Sequence, residues 1–118
     1  LHTVMLKTLL KSKLHRINVT QVELDYEGSC AVDQDFLDAA GMQEYERVDV
    51  YNVSNGERLE TYVIQGNKKG QIGINGPAAI KMNTGHIVII VAYASMTQDE
   101  ATNYQPTIIF PNEKTNEI

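Results

Sequence analysis

Hydrophobic and polar positions alternate along most of this chain in short runs, and the dominant period is two rather than the 3.6 of a helix. Between Leu14 and Leu24 the β-branched Ile17, Val19, Thr20 and Val22 predict one long or bent strand. "RVDVYNV" alternates again, with Val48 and Val50 on one face and Tyr51 on the other. Asn55-Gly56, the strongest short hairpin signal, leads into the strand "RLETYVIQ". "NKKG" turns the chain into "QIGI", "IVIIVAYA" (Ile87 to Ala94) reads as a strand apolar on both faces, and "PTIIFP" is a last strand. Three short helices are expected between them. Asp33 caps "DQDFLDAAG" and Gly41 stops it. Pro77 opens a turn of helix in "NGPAAIKM", ended by Asn83 and Gly85, and "TQDE" (Thr97 to Glu100) is a capping box. "NEKTNEI" reads as a frayed tail. Six or so strands with brief helices and no linker predict one mainly-β domain over residues 1–118, a small closed or nearly closed barrel.

Composition narrows what such a domain does. With 118 residues, 42% of them hydrophobic, there is enough apolar surface for one core. The Ile87–Ala94 run is too short to span a bilayer, so no membrane partner is expected. A single cysteine allows no internal disulfide, and the opening "LHTVMLKTLLKSKLHR" has no signal-peptide core, so cytoplasm is the expected location. "LHTV" reads as an appendage, with Met5 the natural start. The net charge of −5 is unevenly spread: Lys7, Lys11, Lys13 and Arg16 all precede the first acid, Glu23. The acidic remainder argues against a nucleic-acid partner, and the basic opening is either a small anion-binding arm or a solvated strand edge.

Few residues offer chemistry. His2, His15 and His86 stand apart, with no cysteine or carboxylate at ligand spacing, so no metal site is expected. Gly66, Gly70, Gly73 and Gly76 are spaced as turns, not as a phosphate loop. Cys30 reads as a small buried residue. In "YEGSC" (Tyr26 to Cys30), Ser29 follows Gly28, whose unhindered carbonyl and pliable backbone suit attack by a neighbouring hydroxyl. Gly-Ser pairs also fill ordinary turns.

Several separated segments match one family together. "KLHR" (13–16), "YEGSCAVDQDFLDAAG" (26–41), "NGERLETY" (55–62), "NGPAA" (75–79) and "GHIVIIVAYASM" (85–96) resemble bacterial aspartate 1-decarboxylase, in the family's order and over nearly the whole chain from Met5. The resemblance implies a six-stranded double-psi β-barrel assembled as a homotetramer. It implies an inactive precursor that cuts itself between Gly28 and Ser29, leaving a β chain (5–28) and an α chain (29–118) headed by a pyruvoyl group made from Ser29. That group would form a Schiff base with L-aspartate, in place of pyridoxal phosphate and without a metal, to give β-alanine for pantothenate and coenzyme A. A helper protein for maturation is a possible further partner.

By the same resemblance, Thr61 stabilises the oxyanion during cleavage and Tyr62 donates the proton that replaces CO2. Arg58 anchors a substrate carboxylate, since a guanidinium grips one with two parallel hydrogen bonds, and Lys13 adds a second positive charge. Asn75, Gly76 and Ala78 line the substrate site, while His15, Tyr26 and Ile89 are secondary. Pro77 stands where the family more often has alanine, and Tyr51 where some relatives carry tryptophan. Each matched residue also has a plain reading as an exposed strand or turn residue. The competing functional classes are a non-catalytic barrel used for interaction, a pyruvoyl decarboxylase of another small amino acid, and a self-cleaving chain that breaks at Cys30.

Overall fold

Residues 4–118 are described by a computed structural model, and their alternating runs pair into one mainly-β sheet. His2 lies outside the described residues. In chain order the elements are β1 (Lys7–Asn18), β2 (Gln21–Glu23), β3 (Ser29–Val32), α1 (Gln34–Ala40), β4 (Arg47–Asn52), β5 (Arg58–Gln65), β6 (Ile72–Asn75), a 3-10 helix (Gly76–Lys81), β7 (Ile87–Met96), α2 (Gln98–Ala101) and β8 (Thr107–Ile109). The strands hydrogen-bond in the order β2-β6-β3-β5-β4-β7-β1-β8. Only Val19 and Thr20 join β1, near one end of that order, to β2 at the other. This short link between distant positions in the order is consistent with a small β-barrel.

Eight strands stand where six were expected among these residues, for two reasons. The Leu14–Leu24 run splits at Val19 and Thr20, whose amides leave the β1 ladder to bond His86 O and Ile72 O. The four residues of β3 were missed because their partners, parallel β5 and antiparallel β6, come later in the chain. β1 also begins earlier than expected, at Lys7, and pairs along its length with β7. The basic opening is thus strand, with Lys11 bonded to Glu46 at 2.9 Å and Arg16 paired with Glu113.

Local signals landed where they were expected. Asp33 accepts from Asp35 N at 3.2 Å and opens α1, which buries Phe36, Leu37 and Ala40 before Gly41 ends it in the left-handed region. Both capping-box bonds between Thr97 and Glu100 are present. Pro77 lies in the first turn of the 3-10 helix. Leu14, Ile17, Val48, Val50 and Ile90 meet α1 in one core. The frayed-tail expectation is overturned. Asn116 is buried and donates to Asn18 O and Gly70 O, both at 2.8 Å, so the 112–118 segment is fastened to β1 and to the turn before β6.

Candidate functional site

Ser29 opens β3 and is only 3% exposed, unusual for a serine beside a surface turn. Its position follows from pairing: β3 lies between β5 and β6, and Ser29 is directly opposite Asn75. Asn75 Nδ2 donates to Ser29 Oγ at 3.0 Å, and Ser29 Oγ reaches Glu27 O at 3.3 Å. Both groups are buried, so this bond is shielded from competing water. The chain then turns at Gly76, with φ of +78°. A Cβ there would lie 2.7 Å from Gly28 Cα and 3.0 Å from Tyr26 O. Only glycine lets the 75–76 turn press against the Gly28 peptide. A cavity of about 440 Å³ opens beside this cluster, lined in part by Tyr26, Ala31, Gln71 and Asn75.

Thr61 and Tyr62 belong to the same neighbourhood by register. β3 and β5 run parallel with Cys30 opposite Val63. Continuing that register back by one residue sets Ser29 level with Tyr62, and by two sets Gly28 level with Thr61. No hydrogen bond joins the Thr61 hydroxyl to Gly28 among the described residues. The Tyr62 ring lies 6.5 Å from that of Tyr45. Ala78, in the 3-10 helix after Asn75, packs against the core.

Arg58 stands on a second line of residues. It is directly opposite Tyr51, which in turn is opposite Ile89, so the three share one row across β5, β4 and β7. The Arg58 guanidinium sits 4.3 Å over the Tyr51 ring. Arg58 takes part in none of the four ion pairs among the described residues, which leaves its fork available to an added carboxylate. The Tyr51 hydroxyl donates to Asp49 Oδ2 and meets Tyr93 Oη, both at 3.2 Å. Its bond to Tyr93, then burial and the Asp49 charge, push the Tyr51 phenol up to about 12. The sequence flagged Tyr51 only as a departure from the family. Its two tethers, Asp49 and Tyr93, carry no sequence signal at all.

Lys13 and His15 are on β1, and no hydrogen bond or ring contact joins them to Ser29, Gly28 or Asn75 among the described residues. Lys13 is opposite Val91 on one side and Ile108 on the other. The His15 ring meets Phe110 edge-on at 5.5 Å, and its Nδ1 is buried without a partner. Burial first, then Lys13 and Arg16, lower the His15 pKa from its ordinary value, against a smaller upward pull from Glu113.

The residues at position 29 suit conversion to a pyruvoyl group: a buried oxygen with an amide donor, and a turn that leaves room only for glycine at its back. Cys30 differs. It is fully buried with its thiol pushed up to about 12, so it is poorly placed as a nucleophile. His86 organises a turn by accepting from Asn83 N at 3.2 Å and meeting Asn52 Nδ2 at 2.9 Å. Among the described residues no group of three or more His, Cys, Asp or Glu is arranged to hold a metal, and no helix is long and apolar enough to cross a membrane.

A family model described as aspartate decarboxylase matches residues 5–118. The chain belongs to the aspartate decarboxylase family. It is 50% identical over 111 residues to the aspartate 1-decarboxylase of Cupriavidus taiwanensis, covering 93% of this chain and 92% of that one. It is 51% identical over 106 residues to the protein of that name from Ralstonia nicotianae, covering 89% and 88%. With that of Cytophaga hutchinsonii it shares 52% over 105 residues, covering 88% and 91%. This member of the aspartate decarboxylase family carries Ser29 at the buried start of β3, directly after an exposed Gly28.

Proposed function

We propose that this chain cuts itself between Gly28 and Ser29 and then decarboxylates L-aspartate to β-alanine, supplying pantothenate and coenzyme A synthesis in the cytoplasm. Family membership supports the reaction. The observation that carries the site is the buried Ser29 hydroxyl, held at 3.0 Å by Asn75 directly after a glycine peptide.

Cleavage begins as Ser29 Oγ attacks the Gly28 carbonyl carbon, and an ester replaces the amide as the carbon–nitrogen bond breaks. Thr61, level with Gly28, is the candidate donor to the oxyanion. Elimination across the Ser29 Cα–Cβ bond then releases Gly28 as a carboxylate, and water displaces the nitrogen as ammonia to leave the ketone. The hydrogen bonds of Ser29 Oγ run to an amide and a backbone carbonyl, neither of them a base at neutral pH. Self-cleavage is therefore slow, and it happens once per chain because it consumes its own Ser29.

The pyruvoyl carbonyl supplies an electron sink for the pair left when CO2 departs. This chain's own residues bind and protonate. Arg58, in no ion pair among the described residues and backed by the Tyr51 ring, grips a substrate carboxylate, and Lys13 adds charge of the same sign. The Tyr62 hydroxyl holds the proton that replaces the lost carboxyl group. Asn75, Gly76 and Ala78 line the substrate's side of the turn, with Ile89, Tyr26 and His15 at the margins. Lys13 and His15 make no bond to the Ser29 group within one chain, and assembly as a homotetramer offers them a neighbouring copy's site.

The test is CO2 release from aspartate and from glutamate by the purified protein. Aspartate is expected to be favoured at least about tenfold, because one added methylene moves the second carboxylate off a fixed Arg58. Equal rates on the two, or release from glutamate alone, would move the assignment to another amino acid.

A further inference from the structure

β8 and the segment after it run along β1. Thr107, Ile108 and Ile109 pair with Ser12, Lys13 and Leu14. Phe110 then meets the His15 ring, Glu113 pairs with Arg16, and Asn116 Oδ1 accepts from Asn18 N at 2.9 Å. Asn18 Nδ2 donates to Glu113 O at 3.2 Å, and Asn116 Nδ2 returns a bond to Asn18 O. Residues 107–110 thus follow 12–15 one for one, and Glu113 and Asn116 then reach Arg16 and Asn18.

β1 is irregular over the same stretch. Its register against β7 breaks between Leu14 and Ile17, and Arg16 has φ of +68°. A long side chain on that left-handed backbone is strained, and such a residue persists where its surroundings hold it from several sides. The holding groups are Glu113 on Arg16 itself and Asn116 on Asn18, two residues on. They sit on a firm base. Asn112 Oδ1 accepts from Lys114 N and Thr115 N, and Asn116 Nδ2 also bonds Gly70 O in the turn before β6. His15 lies within the same break, next to Arg16, and Lys13 is the paired residue just before Leu14.

We infer that Glu113 and Asn116 are positioning residues that lock the Arg16 bulge and so set the direction in which β1 presents Lys13 and His15. The consequence for catalysis rests on the proposed role of Lys13 as a contact to substrate carboxylate. A simple clasp would need only the β8 ladder. The polar bonds instead fall on the strained residue and on Asn18, beyond the regular pairing.

The test uses the full chain carrying Asn116→Ala, Glu113→Ala or Glu113→Asp, with three readouts. Amide hydrogen exchange over Lys13–Asn18 is expected to speed in the two alanine variants while β3 keeps its protection. Mass should show Gly28/Ser29 cleavage running as in the parent chain. The KM for aspartate should rise about tenfold with kcat within about threefold, and Glu113→Asp should recover most of the loss, because a carboxylate still reaches Arg16. Unchanged exchange over 13–18, or a loosened bulge with an unchanged KM, would overturn the inference. A parent chain that releases no CO2 from aspartate would instead sink the functional reading, and the exchange readout would still decide whether the strap holds the bulge.

Discussion

Ser29, Asn75 and Gly28 form the smallest unit that carries the account, and their energetics are local. Asn75 Nδ2 is the sole side-chain donor to Ser29 Oγ among the described hydrogen bonds. Removing it leaves a buried hydroxyl short of a partner, at about 1–3 kcal/mol. Asn75→Ala should therefore slow self-cleavage by at least about tenfold, whereas Ser29→Ala should abolish it; a time course of fragment appearance separates the two. Tyr51 is tested in the same way. Tyr51→Phe keeps the ring beneath Arg58, and Tyr51→Leu removes it. A cation over an aromatic face is worth about 1 kcal/mol, or about fivefold in affinity. The leucine variant should raise the aspartate KM by about that factor and the phenylalanine variant by less; equal values for both would show that the ring does not steer Arg58. Cys30, buried and held as a thiol, should resist thiol reagents until the chain unfolds. Rapid labelling of the native protein would contradict its placement. At this scale the residue types were legible in "YEGSC" and "NGERLETY", but the bonds were not. Only the family resemblance placed a hydrogen bond from Asn75 near position 29; no local pattern joins the two, because they are 46 positions apart.

Elements were legible where their signals are local. The Asp33 cap, the Thr97–Glu100 box, Asn55-Gly56 and Pro77 each act on neighbours within four residues, and each marks a boundary seen in the fold. β3 and the 112–118 strap were not legible, for a common reason. β3 is four residues that become a strand only between β5 and β6, and the strap is polar until Asn116 finds Asn18, 98 positions away. Gly76 shows how one element constrains another. Gly76→Ala would drive a Cβ to within 2.7 Å of Gly28 backbone while forcing alanine to φ of +78°. The turn would have to shift, at about 1–3 kcal/mol. The variant should melt several degrees lower and cleave more slowly at Gly28, as read by thermal melting and by mass. Parent-like values in both would mean that the 75–76 turn has more room than its contacts indicate.

The whole molecule is a mainly-β chain whose sheet sets three groups of candidate residues: one around Ser29, the Arg58–Tyr51–Ile89 row across β5, β4 and β7, and Lys13 and His15 on β1. Its pH response involves the group on β1. The folded His15 pKa is lowered by burial and by Lys13 and Arg16, so below about pH 6.5 the unfolded chain binds the extra proton more readily. Stability should fall as pH drops from about 7 to 5, and His15→Gln should flatten that slope; an unaltered slope would place the proton uptake elsewhere. The central claim concerns the backbone itself. Denaturing mass spectrometry of the purified full chain, before and after prolonged warming, measures it directly. The expected result is conversion into one fragment ending at Gly28 and another beginning at position 29 with the mass of a pyruvoyl group, and only intact chain for Ser29→Ala. A parent chain that stays whole, or fragments whose masses place the break at Cys30, would contradict it.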